Sequence, residues 1–156
     1  MSITSNIYLE RKCEKFHIPV EIMDINDLQK IEPHMSYIIN LGNNSHWTAL
    51  YIHDKAIIYH DSFGVVPPLK IIKLIQEYAN EHGKINYHYN TKTIQNLESG
   101  YCGLYCFLFL YFMNKGNESY DEKLKNYQNL FSTNHEKNKR RLIKELHKID
   151  FYNDND

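Results

Sequence analysis

The sequence predicts an α+β domain in which helices flank a central β-sheet and one further helix is buried. Three patterns predict this class: β-rich apolar runs in residues 36–61, an amphipathic helical pattern in residues 69–82, and an apolar run in residues 102–113. The chain has 156 residues, of which 42% are hydrophobic, which suits a single domain. Because no repeat or Pro/Gly-rich linker divides the chain, we expect one domain over residues 1–156.

Charge and hydropathy exclude several classes of protein. Lys and Arg total 18 against 19 Asp and Glu, so the formal net charge is -1 and a general basic surface for nucleic acid is not expected. No apolar run reaches the roughly 18 residues of a membrane span, and residues 1–11 lack the layout of a signal peptide. Three cysteines, Cys13, Cys102 and Cys106, make a poor disulfide framework. We expect a soluble, non-secreted protein with no membrane partner.

The N-terminal third contains a helical and a β-rich pattern. Asp24 to Ile31 predicts a short helix that ends before Pro33. Ser36 to Leu41 predicts an apolar strand that ends in a polar turn, Gly42 to Ser45.

Two β-rich runs after that turn predict a hairpin. They are His46 to Ile52 and Ala56 to Asp61, joined by a two-residue loop at His53-Asp54. That loop places His46 directly opposite Asp61 on one face, with their Cβ atoms about 5 Å apart. A register shift of one residue would send the two side chains to opposite faces.

The following region predicts a helix, a strand and a loop. Leu69 to His82 is amphipathic, follows two prolines and ends at Gly83, so we expect a helix that packs on the sheet. Ile85 to Tyr89 predicts another strand. Asn90 to Tyr101 is polar and predicts a loop.

The C-terminal part begins with a buried helix. Cys102 to Met113 is almost entirely apolar and too short for a bilayer, so we expect a central helix with Cys102 at its N-terminus. After a polar connection from Asn117, an apolar stripe predicts a helix at Lys137 to Ile149. The tail after Asp150 is expected to fray.

The position of Cys102 indicates a nucleophile. The partial positive charge and free N–H groups of a helix N-terminus favour a thiolate and can stabilise an oxyanion beside it, while Gly103 permits close approach of a substrate. His46 can act as the base, and Asp61 can orient its ring if the hairpin register is right. Gln95, on the loop before the helix, carries a side-chain amide suited to the oxyanion.

Simpler interpretations exist for several of these residues. A cysteine in an apolar helix is usually inert core, which is the interpretation that we favour for Cys106. Asp54 is a rival acid, although a hairpin tip is poorly placed to reach His46. Trp47 either packs in the core or forms a wall of the substrate cleft. The nine histidines form no paired clusters of the kind that bind structural zinc, so no metal site is expected.

Four blocks of sequence resemble a known family. They are His46 to Ala49, Tyr59 to Gly64, Gln95 to Ser99 and Cys102 to Leu110. In this order they are similar to the adenovirus-type maturation proteases, the adenain-like cysteine peptidases. These belong to a larger group that includes the proteases of small ubiquitin-like modifiers.

The resemblance implies a catalytic triad of His46, Asp61 and Cys102, with Gln95 as oxyanion donor and no required cofactor. It implies hydrolysis of viral precursor proteins, such as capsid or scaffold components, after small residues such as Gly. Trp47 and Gly103 would then contact substrate. The source would be a small double-stranded DNA virus or virophage, and the protein would act in the virion and the infected host cell.

Two features bear on the branch of the family and on activation. Gln95 lies seven positions before Cys102, as in adenain, whereas Asp61 in place of Glu is also familiar from the modifier proteases. A deconjugating protease is therefore an alternative, and an inactive capsid- or DNA-binding relative is a second. The resemblance also implies activation by a viral peptide or by DNA, but no cysteine between Asp61 and Gln95 offers a disulfide link to such a peptide. Basic residues of 137–148 are the candidate DNA contact, or simply a solvated helix face.

Overall fold

A computed structural model describes residues 5–42, 46–96 and 100–153. The predicted turn residues 43–45 and the loop residues 97–99 lie outside these ranges. The helices are α1 (Asn6–Lys15), α2 (Leu69–His82), α3 (Cys102–Asn114), α4 (Tyr120–Gln128) and α5 (His135–Lys148). The strands are β1 (Val20–Asp24), β2 (Ser36–Asn40), β3 (Trp47–His53), β4 (Ala56–His60) and β5 (Asn86–Tyr89).

The five strands form one mixed sheet in the order β1-β2-β3-β4-β5. The central pairs β2–β3 and β3–β4 are antiparallel, whereas β1–β2 and β4–β5 are parallel. The α+β class predicted from the sequence is therefore confirmed.

Helices cover both faces of this sheet, which explains why its central strands are buried almost throughout. Along β3, Ala49 and Tyr51 belong to the core cluster that contains α3. Leu50 and Ile52 alternate to the other face and pack in the cluster that contains α2. The two cores therefore meet the same strand from opposite sides.

Helix α3 is buried as predicted. It contacts the sheet, α1, α4 and α5, so apolar side chains are buried on every side of the helix. Phe107, Leu108, Phe109 and Leu110 have no exposed surface. Such a rigid helix fixes the residue at its N-terminus, Cys102, relative to the sheet.

The β3–β4 hairpin has a different register from the one predicted. Its two-residue loop is Asp54-Lys55, because His53 pairs with Ala56 and Ala49 pairs with His60. Asp54 has a φ of 51°, a left-handed conformation that Asp tolerates better than most residues. The predicted loop at His53-Asp54, and with it a direct His46–Asp61 pair, is wrong. Since the shift is two residues, the alternation of faces is unchanged.

The N-terminal and C-terminal predictions also need correction. Asp24 to Ile31 is not a helix: strand β1 ends at Asp24, whose side chain caps a single 3-10 turn, Ile25–Asp27. The parallel pairing of β1 with β2 is a long-range contact that the local pattern did not reveal. Helices α1 and α4 were not predicted, because their sequences are mostly polar.

The segment after Asp150 does not fray at its start. Phe151 has no exposed surface and packs against Phe107 and Phe16, while the Lys12 ammonium donates to its carbonyl oxygen. One buried aromatic ring therefore anchors the chain beyond α5. Across the described ranges, no helix combines the length and hydropathy needed to cross a bilayer.

Candidate active site

His46 and Asp61 form a buried hydrogen-bonded pair. His46 lies immediately before β3 and Asp61 immediately after β4, so the ends of two paired strands bring them together. The His46 Nε2 to Asp61 Oδ1 distance is 2.6 Å, and the residues are 8% and 1% exposed. The backbone N–H of Phe63 also donates to Oδ1 at 2.8 Å. The Phe63 ring stacks on the imidazole at 4.1 Å, so the ring is held from its edge and its face.

The surroundings of His46 favour its protonated form. Burial acts to lower its pKa, but interactions with the Asp61 carboxylate and with Cys102 outweigh burial and raise the pKa to about 9. Asp61 engages Nε2, so Nδ1 is the ring nitrogen left for an interaction with Cys102, the other residue that raises the His46 pKa. Nδ1 is buried, and no group in the described part of the chain forms a hydrogen bond with it.

Cys102 is the first residue of α3 and is 5% exposed. The backbone N–H of Trp47 donates to its Sγ at 3.4 Å, a contact that joins β3 to the helix N-terminus beside His46. Tyr101 does not cap α3 through its side chain. The sulfur therefore lies at the positive end of a buried helix, where negative charge is stabilised.

Gln95 is held near Asp61 by the residue that follows Asp61 in the chain. The Ser62 hydroxyl donates to the Gln95 Oε1, and the backbone N–H groups of Ile94 and Gln95 donate to the Ser62 carbonyl at 2.9 and 3.2 Å. Gln95 is only 2% exposed. His46 thus contacts Asp61 directly, Gln95 is joined to Asp61 through Ser62, and Cys102 contacts the backbone of Trp47, the residue that follows His46.

Asn90 is a site residue that the sequence reasoning missed. Its Oδ1 accepts from the Asp61 N–H at 2.9 Å, and its Nδ2 donates to the Asp61 carbonyl at 2.6 Å. Asn90 follows β5, which pairs with β4 in parallel through Tyr59 and Tyr89. Only this pairing brings Asn90 beside Asp61. Its position as a polar residue directly after a predicted strand was the available signal.

The other cysteines differ from Cys102 in their surroundings. Burial raises the pKa of the Cys106 thiol well above its ordinary value, and it raises the pKa of Cys13 to about 12. None of the three cysteines forms a disulfide within the described ranges. Cys106 and Cys13 therefore remain protonated core residues, and Cys102 is the cysteine adjacent to an imidazole.

The two predicted substrate contacts are largely enclosed. Trp47 is 5% exposed and its side chain belongs to the core cluster that contains Cys102. Gly103 is buried in the first turn of α3. A cavity of about 460 Å³ is lined by His60, Asn90 and Tyr127 among others but by none of the four candidate site residues. No cluster of three or more metal-ligand side chains occurs in the described ranges.

Comparison with protein families assigns the chain. A model of the Ulp1 protease family, C-terminal catalytic domain, matches residues 8–149. The chain belongs to the Ulp1 protease family. It is therefore a member of a cysteine protease family, and the larger group predicted from the sequence blocks is confirmed. The adenain-like branch and a viral origin stay predictions.

Solved structures show the same fold. The crystal structure of ASFV pS273R protease superposes with a TM-score of 0.58 at 17% identity, over 90% of this chain and 66% of the other. ChlaDub1 from Chlamydia trachomatis gives a TM-score of 0.51 at 15% identity, over 90% of this chain and 74% of the other. This chain thus spans about two thirds of the length of the ASFV protease. No curated protein matches the sequence.

Proposed function

We propose that this member of the Ulp1 protease family is a cysteine endopeptidase whose nucleophile is Cys102 and whose base is His46. The observation that carries the proposal is the 2.6 Å His46–Asp61 hydrogen bond beside a cysteine sulfur at a helix N-terminus. Nucleophile, base and orienting carboxylate are the three groups that covalent hydrolysis of an amide needs.

Acylation begins from a Cys102 thiolate and a His46 imidazolium. The thiolate attacks the scissile carbonyl carbon, a C–S bond forms, and the negative charge moves to the carbonyl oxygen. The Cys102 backbone N–H and the Gln95 side-chain amide stabilise that oxyanion, each donor contributing on the order of 10²–10³-fold in rate. The His46 Nδ1 then gives its proton to the leaving amine as the C–N bond breaks.

Deacylation reverses these roles. Neutral His46 takes a proton from water through Nδ1, the resulting hydroxide adds to the thioester carbonyl, and the C–S bond breaks. The acid product leaves, and the thiolate–imidazolium pair is restored. Throughout, Asp61 accepts from Nε2–H, which fixes the tautomer and stabilises the imidazolium.

The substrates that we propose are viral precursor proteins, such as capsid or scaffold components, cut after small residues such as Gly. The resemblance of the four sequence blocks to adenain-like proteases supports this choice. Trp47 and Gly103 are both buried and are the neighbours in sequence of His46 and Cys102, so we expect room only for a thin chain without bulky side chains before the scissile bond. Action in the virion and infected cell, and stimulation by a viral peptide or by DNA, stay predictions.

Two cysteine variants test the proposed function. Cys102→Ala and its matched control Cys106→Ala are incubated with fluorogenic peptides that carry Gly, Ala or Phe before the scissile bond. We expect no hydrolysis by Cys102→Ala, near-normal hydrolysis by Cys106→Ala, and a preference for Gly. Hydrolysis by Cys102→Ala would refute the proposal. A folded wild-type protein that neither hydrolyses peptide nor reacts with a thiol-directed inhibitor would favour an inactive capsid- or DNA-binding relative.

Membership of the Ulp1 protease family supports one rival function, deconjugation of ubiquitin-like modifiers. That reaction uses the same four residues but requires recognition of a folded partner. Ubiquitin and a small ubiquitin-like modifier, each with a C-terminal electrophile, distinguish the two. Deconjugation would be favoured over precursor processing if one of these probes reacts rapidly with Cys102 at a concentration at which a Gly-containing peptide is hydrolysed only slowly.

A further inference from the structure

Ser62 occupies a distinctive position beside the site. It follows Asp61 directly and is 1% exposed. Its carbonyl oxygen accepts from the N–H groups of both Ile94 and Gln95, and its hydroxyl donates to the Gln95 Oε1. One buried serine therefore holds both the backbone and the side chain of Gln95.

In the structure the Ser62 hydroxyl contacts the oxygen end of the Gln95 amide, so the nitrogen end faces away from Ser62. A glutamine amide carries an acceptor oxygen and a donor nitrogen, and a half-turn of its terminal torsion exchanges them. When Oε1 accepts from the Ser62 hydroxyl, Nε2 is directed away from Ser62. The reversed amide would present a carbonyl oxygen to a developing oxyanion and would raise its energy.

We propose that Ser62 is a positioning residue that holds the Gln95 amide with its N–H₂ group toward the oxyanion; the inference rests on the proposed function. Because Asp61 and Ser62 are consecutive at the end of β4, one strand end orients both the imidazole and the oxyanion donor. Such preorganisation matters because a donor that must rotate during the reaction loses much of its stabilising effect.

Removal of this hydroxyl has a specific kinetic signature. For Ser62→Ala we expect kcat on a Gly-containing fluorogenic peptide to fall about tenfold, part of the 10²–10³-fold that loss of an oxyanion donor costs. KM should change less than twofold, because the oxyanion forms only in the transition state. Alkylation of Cys102 by iodoacetamide forms no oxyanion, so its rate and pH dependence should match wild type.

Ser36→Ala is the matched control. Ser36 is also 1% exposed, and its hydroxyl oxygen accepts a side-chain hydrogen bond from the Asn114 amide, away from the site. We expect it to retain wild-type kcat even if its melting temperature falls as much as that of Ser62→Ala. A kcat for Ser62→Ala equal to that of Ser36→Ala would overturn the inference.

A double-mutant cycle with Gln95→Ala separates positioning from general stability. If Ser62 acts through Gln95, Ser62→Ala should cause less than a twofold further loss in the Gln95→Ala background. A tenfold loss in both backgrounds would mean that Ser62 acts on the reaction by a route other than Gln95.

If Ser62→Ala does not fold, Ser62→Cys is the second variant, because a thiol keeps a weak hydrogen-bond donor of similar shape. We expect its kcat to be lower than that of the wild type but measurable. A kcat equal to that of the wild type would contradict the inference. Inactivity of the wild-type protein would instead refute the proposed function.

Discussion

Asn90 forms two hydrogen bonds with the backbone of Asp61, one to its N–H and one to its carbonyl oxygen. Asp61 is the first residue beyond β4, where the sheet no longer constrains the backbone. The asparagine replaces the pairing that another strand residue would supply. The carboxylate that orients His46 thus depends on a residue 29 positions away.

The first prediction concerns these two hydrogen bonds between Asn90 and Asp61. Asn90→Ala should lower kcat/KM about tenfold and destabilise the fold by about 1–3 kcal/mol, because Asp61 loses two hydrogen-bond partners in a part-buried setting. Steady-state kinetics and urea unfolding measure the two effects. Asn86→Ala is the control, since Asn86 is the first residue of β5, the strand that Asn90 follows, and its exposed side chain bonds only Tyr120 among the contacts described. If Asn90→Ala and Asn86→Ala have the same kcat/KM, Asn90 does not support catalysis by holding the Asp61 backbone.

The second prediction is a loss of activity at alkaline pH. The pKa of His46 is raised to about 9, so the imidazolium that protonates the leaving amine is lost as pH rises through that value, and kcat/KM should fall. A raised pKa also stabilises the folded state fully below the ordinary value of 6.5, and this contribution disappears as pH rises through about 9. Asp61→Asn should move both effects to lower pH. A profile of kcat/KM against pH and an NMR titration of His46 provide the measurements. If Asp61→Asn does not change the pH at which kcat/KM falls, the fall does not arise from a His46 imidazolium stabilised by Asp61.

The third prediction concerns acid stability. Burial lowers the pKa of His60 to about 4, and its ring stacks on Phe109 and hydrogen-bonds the Tyr127 hydroxyl. Between pH 6.5 and 4 the unfolded chain takes up a proton at His60 that the folded chain does not, so stability falls as pH falls through this range, by about 3 kcal/mol. Urea unfolding at pH 7 and pH 5 should show a smaller difference for His60→Gln. The exposed control, His88→Gln, should keep the wild-type difference.

The fourth prediction is selective alkylation. In the folded protein iodoacetamide should modify Cys102 at least tenfold faster than Cys13 or Cys106, because burial raises the pKa of both core thiols and removes them from solvent. Peptide mass spectrometry locates the adduct. In concentrated urea all three thiols should react at similar rates. Comparable labelling of Cys106 in the folded protein would mean that the interior of α3 is accessible.

Several elements were predictable because their signal is local. Helix α2 matches its predicted bounds, Leu69–His82, since its apolar period, the preceding prolines and Gly83 all lie within that segment. The apolar run that becomes α3 also begins at the predicted residue, Cys102. The chemical types of the four candidate site residues and their order along the chain were likewise present in the sequence.

Other features required long-range contacts. Strand β1 exists because it pairs in parallel with β2, and the parallel β4–β5 pairing places Asn90 beside Asp61. In the β3–β4 hairpin, the predicted loop, His53-Asp54, and the observed loop, Asp54-Lys55, both contain Asp54, so the turn preferences of the residues do not distinguish them. The position of the loop followed from pairing along the whole strands.

The sequence by itself determined which residues are candidates for the proposed chemistry and that one cysteine begins a buried helix, because residue type and periodicity can be read from neighbouring positions. Only the tertiary structure decided that His46 reaches Asp61 across strand ends rather than as a direct cross-strand pair, and that Ser62 and Asn90 hold Gln95 and Asp61 in place. These contacts arise from packing and hydrogen bonding between distant segments, which no local pattern encodes.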